Sequence, residues 1–225
     1  MKKKLNTYLG RLSAAQIADG MNAAMKNARR LSEDAAILLA AGRFPTAASI
    51  AVLSIEEAGK VSILRALALA VTDEDAAKHR KGYRSHTRKN VMWQLPELAA
   101  AGARKLDDFR GLLGENSDHP FFLDQIKQLG FYTDCLGKAH WVVPADVIDE
   151  NLAQGLVQIA KLFAHDEEQT KKEIELWIDH LGPVWGKNLS WMKRALMNWY
   201  AAMQAAGLAG EGPNGMEGFV RDGLG

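Results

Sequence analysis

Ser54-Ile-Glu-Glu-Ala-Gly-Lys-Val-Ser-Ile-Leu64 sets two carboxylates and one ammonium into an otherwise apolar stretch. At 100° per residue, Glu56, Glu57 and Lys60 fall within an arc of about 100°. Leu53, Glu57, Lys60 and Leu64 follow the spacing i, i+4, i+7, i+11, so a stripe that is apolar at both ends is charged at its centre. Between Pro45 and Val71 the only other fixed charge is Arg65. A helix that is apolar on most sides lies inside a bundle, and this segment is therefore the expected centre of the fold.

Burying an unpaired carboxylate is costly or forces it to protonate. Lys60 stands four residues after Glu56, a pairing worth about 0.2–0.5 kcal/mol on an exposed helix. One lysine does not balance two glutamates, so a second cation must come from elsewhere in the chain. Two readings of the cluster stay open. In one, Glu56, Glu57 and Lys60 form a structural ion-pair network or an exposed charged stripe. In the other, Glu57 or Glu56 orients a basic group that contacts RNA or takes part in catalysis.

Working outward, helical periodicity begins near Ser13, and Ser32 followed by Glu33 and Asp34 reads as a cap where a helix restarts. Ala41 to Pro45 is a glycine–proline turn, and the central helix runs from about Pro45 to Val71. Thr72 caps a helix expected to reach Gln94, and Pro96 opens another to roughly Leu113. A polar loop follows. The aromatic, glycine-punctuated stretch up to Pro144 reads as a short helix and irregular chain. Pro144 to Leu181 reads as one long helical segment, and Leu189 to Ala206 as the last helix.

The 225 residues, 48% hydrophobic and 24% charged, suffice to bury a sizeable core without disulfides. Runs of alternating β-branched and aromatic residues are missing, so helices are expected almost throughout. The domain reading is a single all-helical unit over residues 1–206, with a helical extension from about 145 and a flexible glycine-rich tail over 207–225. The single cysteine, Cys135, fits a reducing cytoplasm. No apolar run reaches membrane-spanning length, and no signal-like stretch follows the basic start. A net charge of +1 leaves nucleic acid neither favoured nor excluded.

Charge is instead concentrated locally. Ala76 to Asn90 holds Lys78, Arg80, Lys81, Arg84, Arg88 and Lys89 with no acid, together with His79 and His86. The short connection at Thr72 makes this segment an antiparallel neighbour of the acidic helix. His79, Tyr83, His86, Asn90 and Trp93 line one face of a continuous helix, and Arg80 and Arg84 form an adjacent row. Such a cluster can engage phosphates, with Tyr83 stacking on a base and His86 moving a proton. The plainer reading is a solvated basic face, with His86 as a buried, hydrogen-bonded histidine.

Asn27, Asp34-Ala35, Gly42-Arg43-Phe44, Glu56-Glu57-Ala58-Gly59-Lys60 and His86 to Lys89 occur in the order of a known pattern. In these residues, and in Gly130 to Pro144, the chain resembles the AbiV abortive-infection proteins over roughly residues 20 to 150. The resemblance implies a HEPN-like up-and-down helical bundle with additional C-terminal helices. It also implies a homodimer whose cleft gathers two copies of an Arg-x(4–6)-His motif, matched here by Arg80 and His86.

On that basis the expected catalytic residues are His86, Arg80 and Glu57. Arg84, Lys89, Arg88 and Tyr83 would bind RNA or phosphate, and Glu56 and Lys60 would support them as an ion-pair network. No metal or other cofactor is expected. The function implied is phage defence by action on RNA or the translation machinery, as a metal-independent ribonuclease or as a non-enzymatic binding module of the same fold. Its expected partners are a second copy, an RNA or ribosome-associated target and a phage-encoded activator, in the cytoplasm and away from membranes. A carboxylate-bridged di-metal bundle is disfavoured because no Glu-x-x-His occurs. The tryptophans of the C-terminal third receive no role beyond packing.

Overall fold

The computed structural model describes residues 8, 11–85, 89–90, 93–108 and 119–221, with the backbone alone at 84, 97, 119 and 120. Helix α1, Ala14–Ala40, starts at a capping box in which Ser13 and Gln16 exchange side-chain and backbone hydrogen bonds. It runs unbroken through Ser32, which is buried rather than acting as a new cap. Tertiary burial overrides the local capping signal there. Gly42, at φ +69°, turns the chain into α2, Phe44–Ala68, with Pro45 in its first turn.

Helix α2 is the hub. It packs against α1, against α3 (Asp73–Arg84), and against α5 (His119–Phe131). It also meets the short α6 (Pro144–Val147), α7 (Glu150–Phe163) and α8 (Lys171–Leu181). Contact on nearly every side explains why its sequence is apolar on nearly every side. Ala47, Ala48 and Ala51 are fully buried and keep neighbouring backbones close, while Val52 and Ile55 join Leu123, Ile126 and Val157 in the largest core cluster. Ser54 Oγ donates to the Ala28 carbonyl across the α1–α2 contact at 2.7 Å.

Several expected boundaries differ. Thr72 does cap α3, accepting from the Asp75 N–H, but the helix ends at Arg84, and Ser85 is extended at φ −80°, ψ 125°. The face expected to run from His79 to Trp93 is therefore not one helical stripe. Among the described residues of the helix expected from Pro96 to Leu113, α4 covers Leu95–Ala100 and is followed by Gly102 at φ +107°. After α5 the chain forms a hairpin, β1 (Asp134–Leu136) against β2 (His140–Val142), with Cys135 opposite Trp141. The turn holds Gly137 and Ala139 at positive φ.

The long segment from Pro144 breaks into α6, α7 and α8. Asp149 caps α7, and Thr170 with Glu173 forms a capping box for α8. Helix α9, Leu189–Ala205, is followed by α10, Gly215–Arg221, in the glycine-rich tail. Val220 is buried, and Asn214 Nδ2 donates to the Met197 carbonyl at 2.9 Å, which ties this part of the tail to α9. Among the described residues no helix is long and apolar enough to cross a membrane.

Candidate functional site

Glu56 lies at the middle of α2 with only 2% of its surface exposed. Its carboxylate takes two ammoniums, Lys127 Nζ at 2.7 Å on Oε1 and Lys89 Nζ at 3.3 Å on Oε2. Lys127, on α5, also reaches Asp124 Oδ1 at 2.8 Å. Two acids and two ammoniums thus cancel inside the bundle, which is the condition for keeping charges there. Burial alone would lower the Lys127 pKa, but its hydrogen bonds to Asp124 and Glu56 outweigh this and hold it above the ordinary lysine value.

The second cation expected for the acidic stretch is therefore two cations. One of them, Lys127, carried no signal in the reading of the basic stretch. Asp124 and Lys127, an i,i+3 pair within the apolar sequence Phe121 to Phe131, were the available clue.

Gly59 explains the rest of the motif. A Cβ placed on it would lie 1.9 Å from the Lys89 carbonyl oxygen and 2.8 Å from its carbon. The backbone after α3 is thus laid directly on α2, one turn beyond Glu56, and Lys89 reaches back to the carboxylate. Gly130 does the same for α5, where a Cβ would lie 2.1 Å from Ser49 Oγ.

Lys60 pairs with Glu57, three residues away, rather than with Glu56 as expected from the i,i+4 spacing. Both are partly buried, and the Lys60 ammonium lies 5.1 Å from the centre of the Tyr83 ring. Tyr83 itself packs against the cluster of Ile17, Met21, Leu64 and Ile174. Carboxylates of α2 and cations of the following segment do meet, as expected. Lys89, assigned to phosphate, is 7% exposed and engaged with Glu56. Arg80 is half-buried on α3. His86 and Arg88 lie outside the described residues, as does the side chain of Arg84.

Beside the network, a cleft is lined by Gly59, Ser62, Lys89, Trp93, Phe163 and His165. His165 stands at the start of the α7–α8 connection. Its carbonyl accepts from Arg29 Nη1 at 2.9 Å, which fixes the connection against α1. Among the described residues no three His, Cys, Asp or Glu side chains come together in a group able to hold a metal ion.

An up-and-down bundle around an apolar hub helix, with a cationic segment clasped to its acidic centre, is a HEPN-type all-α architecture. Residues 16–165 match the HEPN_AbiV family model, described as AbiV, and the chain belongs to that family. Membership sets it among abortive-infection proteins of phage defence. No curated protein and no solved structure matches the chain. The matched residues run from the third residue of α1 to just past α7 and include Glu56, Lys89, Asp124 and Lys127, while α8, α9 and α10 lie beyond them.

Proposed function

We propose that this chain is a cytoplasmic abortive-infection effector that acts on RNA, as a metal-independent ribonuclease assembled in a homodimer. Arg80 holds phosphate and His86 serves as general acid or base, activating the ribose 2′-OH or protonating the leaving 5′ oxygen. Glu57 orients the Lys60 ammonium beside Tyr83. The observation that supports this reading best is the Glu56–Lys89 ion pair beneath Gly59. It ties down the chain three residues after His86 and so limits where the Arg-x5-His segment can lie.

The test is expression of His86→Ala during phage challenge, with purified protein incubated with total RNA in the presence of chelator. The expected result is loss of both growth arrest and discrete RNA fragments in a variant whose helix content and melting temperature are unchanged. Growth arrest retained by that folded variant removes His86 from the mechanism.

A second reading, a non-enzymatic module binding RNA or a translation factor, is favoured by one observation. Lys89 and Tyr83 are taken up by contacts within the fold, which leaves a smaller set of side chains to hold a substrate. Binding of RNA without fragments, with or without phage lysate, selects it. A phage-encoded activator is expected under either reading, and lysate dependence of the RNA assay tests for it.

A further inference from the structure

Helix α9 carries Lys193 and Arg194 and no acidic residue, and it lies outside the residues that match the family. Its inner face, Ala195, Trp199 and Met203, is buried in a cluster with Leu69 and Leu181. Its outer face presents Trp191, 61% exposed, beside Arg194 three residues on. A cleft on one side of Arg194 is lined by Lys105, Lys193 and Arg221. On its other side a second cleft is lined by Trp191 and Asn198.

Asp107 accepts from Lys193 Nζ at 2.7 Å, and Glu217 pairs with Arg221 Nη1 at 3.0 Å. Lys105 and Arg194 make no ion pair among the described residues. Asp108 accepts backbone N–H bonds from Arg104 and Lys105, which push its pKa below the ordinary value, so it stays ionised as a cap.

An exposed indole next to cations that make no close ion pair suits a polymer that offers phosphates and open base faces together. A duplex hides those faces in its stack. We propose that the outer face of α9 binds single-stranded nucleic acid, with phosphates on Lys105 and Arg194 and a base stacked on Trp191. This goes beyond the α3 reading and requires no cleavage.

The test is fluorescence anisotropy of full-length protein with labelled oligo(U) and oligo(dT) of about 12 nucleotides, across a salt series. Lys105→Gln with Arg194→Gln is expected to weaken binding about tenfold or more. It should also reduce the slope of log K against log salt by about 1.4, from roughly 0.7 per phosphate contact. Trp191→Ala is expected to weaken binding about fivefold or more at an unchanged slope. All three side chains are exposed or rim a cleft, so circular dichroism and melting temperature should not move. Tighter binding of oligo(U) assigns the surface to RNA, tighter binding of oligo(dT) to DNA, and either supports the proposal. Wild-type protein that binds neither oligomer overturns it, as does a Trp191→Ala variant with full affinity. Loss confined to Lys78→Gln with Lys81→Gln on α3 overturns it while leaving the α3 reading standing.

Discussion

At Glu56, α2 buries two ammoniums against a carboxylate; at Arg65, roughly two and a half turns further along, it buries a guanidinium against aromatic faces. Arg65 lies 5.5 Å from the centre of Trp177 and 5.8 Å from that of Trp199, with Gln169 Oε1 accepting from Nη2 at 2.8 Å. The Arg65 carbonyl accepts from Trp177 Nε1 at 3.2 Å, so the same residue fixes the ring it stacks on. The two solutions leave opposite marks on proton affinity. Lys127 is raised because carboxylates answer its burial; Arg65 is lowered because desolvation outweighs the more distant Glu173 and Glu167. A π face tolerates a cation without neutralising it, and the weakly hydrated guanidinium is the side chain suited to that.

Removing the carboxylate from one region and the planar guanidinium from the other tests the contrast most severely. Glu56→Ala leaves Lys89 and Lys127, among the described residues, with Asp124 as the one carboxylate of the network, and should lower stability by about 3–5 kcal/mol in denaturant unfolding. Arg65→Lys keeps the charge but loses the planar stack, and should cost about 1–2 kcal/mol. Replacing Glu56, Lys89 and Lys127 by Met together with Asp124 by Asn should recover most of the Glu56→Ala loss, because all four charges of the network are then removed at once. Equal losses for Glu56→Ala and Arg65→Lys would erase the distinction between the two regions.

The two regions were also unequally legible in the sequence. Charged residues at the centre of an apolar helix announced a buried network, and the chain order placed the basic segment beside it. Its second cation from α5 was missed because Lys127 sits far along the chain, with only an i,i+3 aspartate to mark it. The length of α3 was overestimated because polar helical periodicity continues past Arg84, whereas backbone contact at Gly59 pulls the chain out of the helix. In the C-terminal third, Trp177 and Trp199 read only as apolar bulk, since a cation–π clasp on Arg65 has no spacing rule. Capping boxes at Ser13 and Thr170 were both written locally, but neither was read as one: periodicity alone marked the start near Ser13, and the long helix expected from Pro144 ran straight through Thr170.

The close approach that makes the acidic region possible can be broken separately. Gly59→Ala should destabilise by about 1–3 kcal/mol, since its Cβ meets main chain that cannot rotate away. That loss comes despite a helix-propensity gain of about 1 kcal/mol. Gly155, in α7, has nothing within 4 Å of an added Cβ, so Gly155→Ala should stabilise by roughly 0.5–1 kcal/mol. Opposite signs in thermal unfolding would tie the glycine of the Glu-Glu-x-Gly-Lys motif to the seating of Lys89. A stabilised Gly59→Ala would instead mean that the segment after α3 lies further from α2.

The smallest effect expected is a pH dependence that belongs to one region only. Lys127 has a folded-state pKa above its unfolded one, so the native state binds more protons in the interval between them. Its contribution is therefore complete below the unfolded value of about 10.4 and is lost as pH rises through the raised folded value. Denaturant midpoints measured from pH 9 upward should fall more steeply in the wild type than in Asp124→Asn with Lys127→Met, a pairing that removes one acid and one base and leaves Glu56 on Lys89. Arg65→Met should keep the wild-type slope over the same interval, because it removes a group that does not titrate there and leaves the network untouched. If the double variant fell as steeply as the wild type, the alkaline loss would belong to the remaining lysines and tyrosines, and the carboxylate clasp on Lys127 would have to be weaker in solution than its geometry implies.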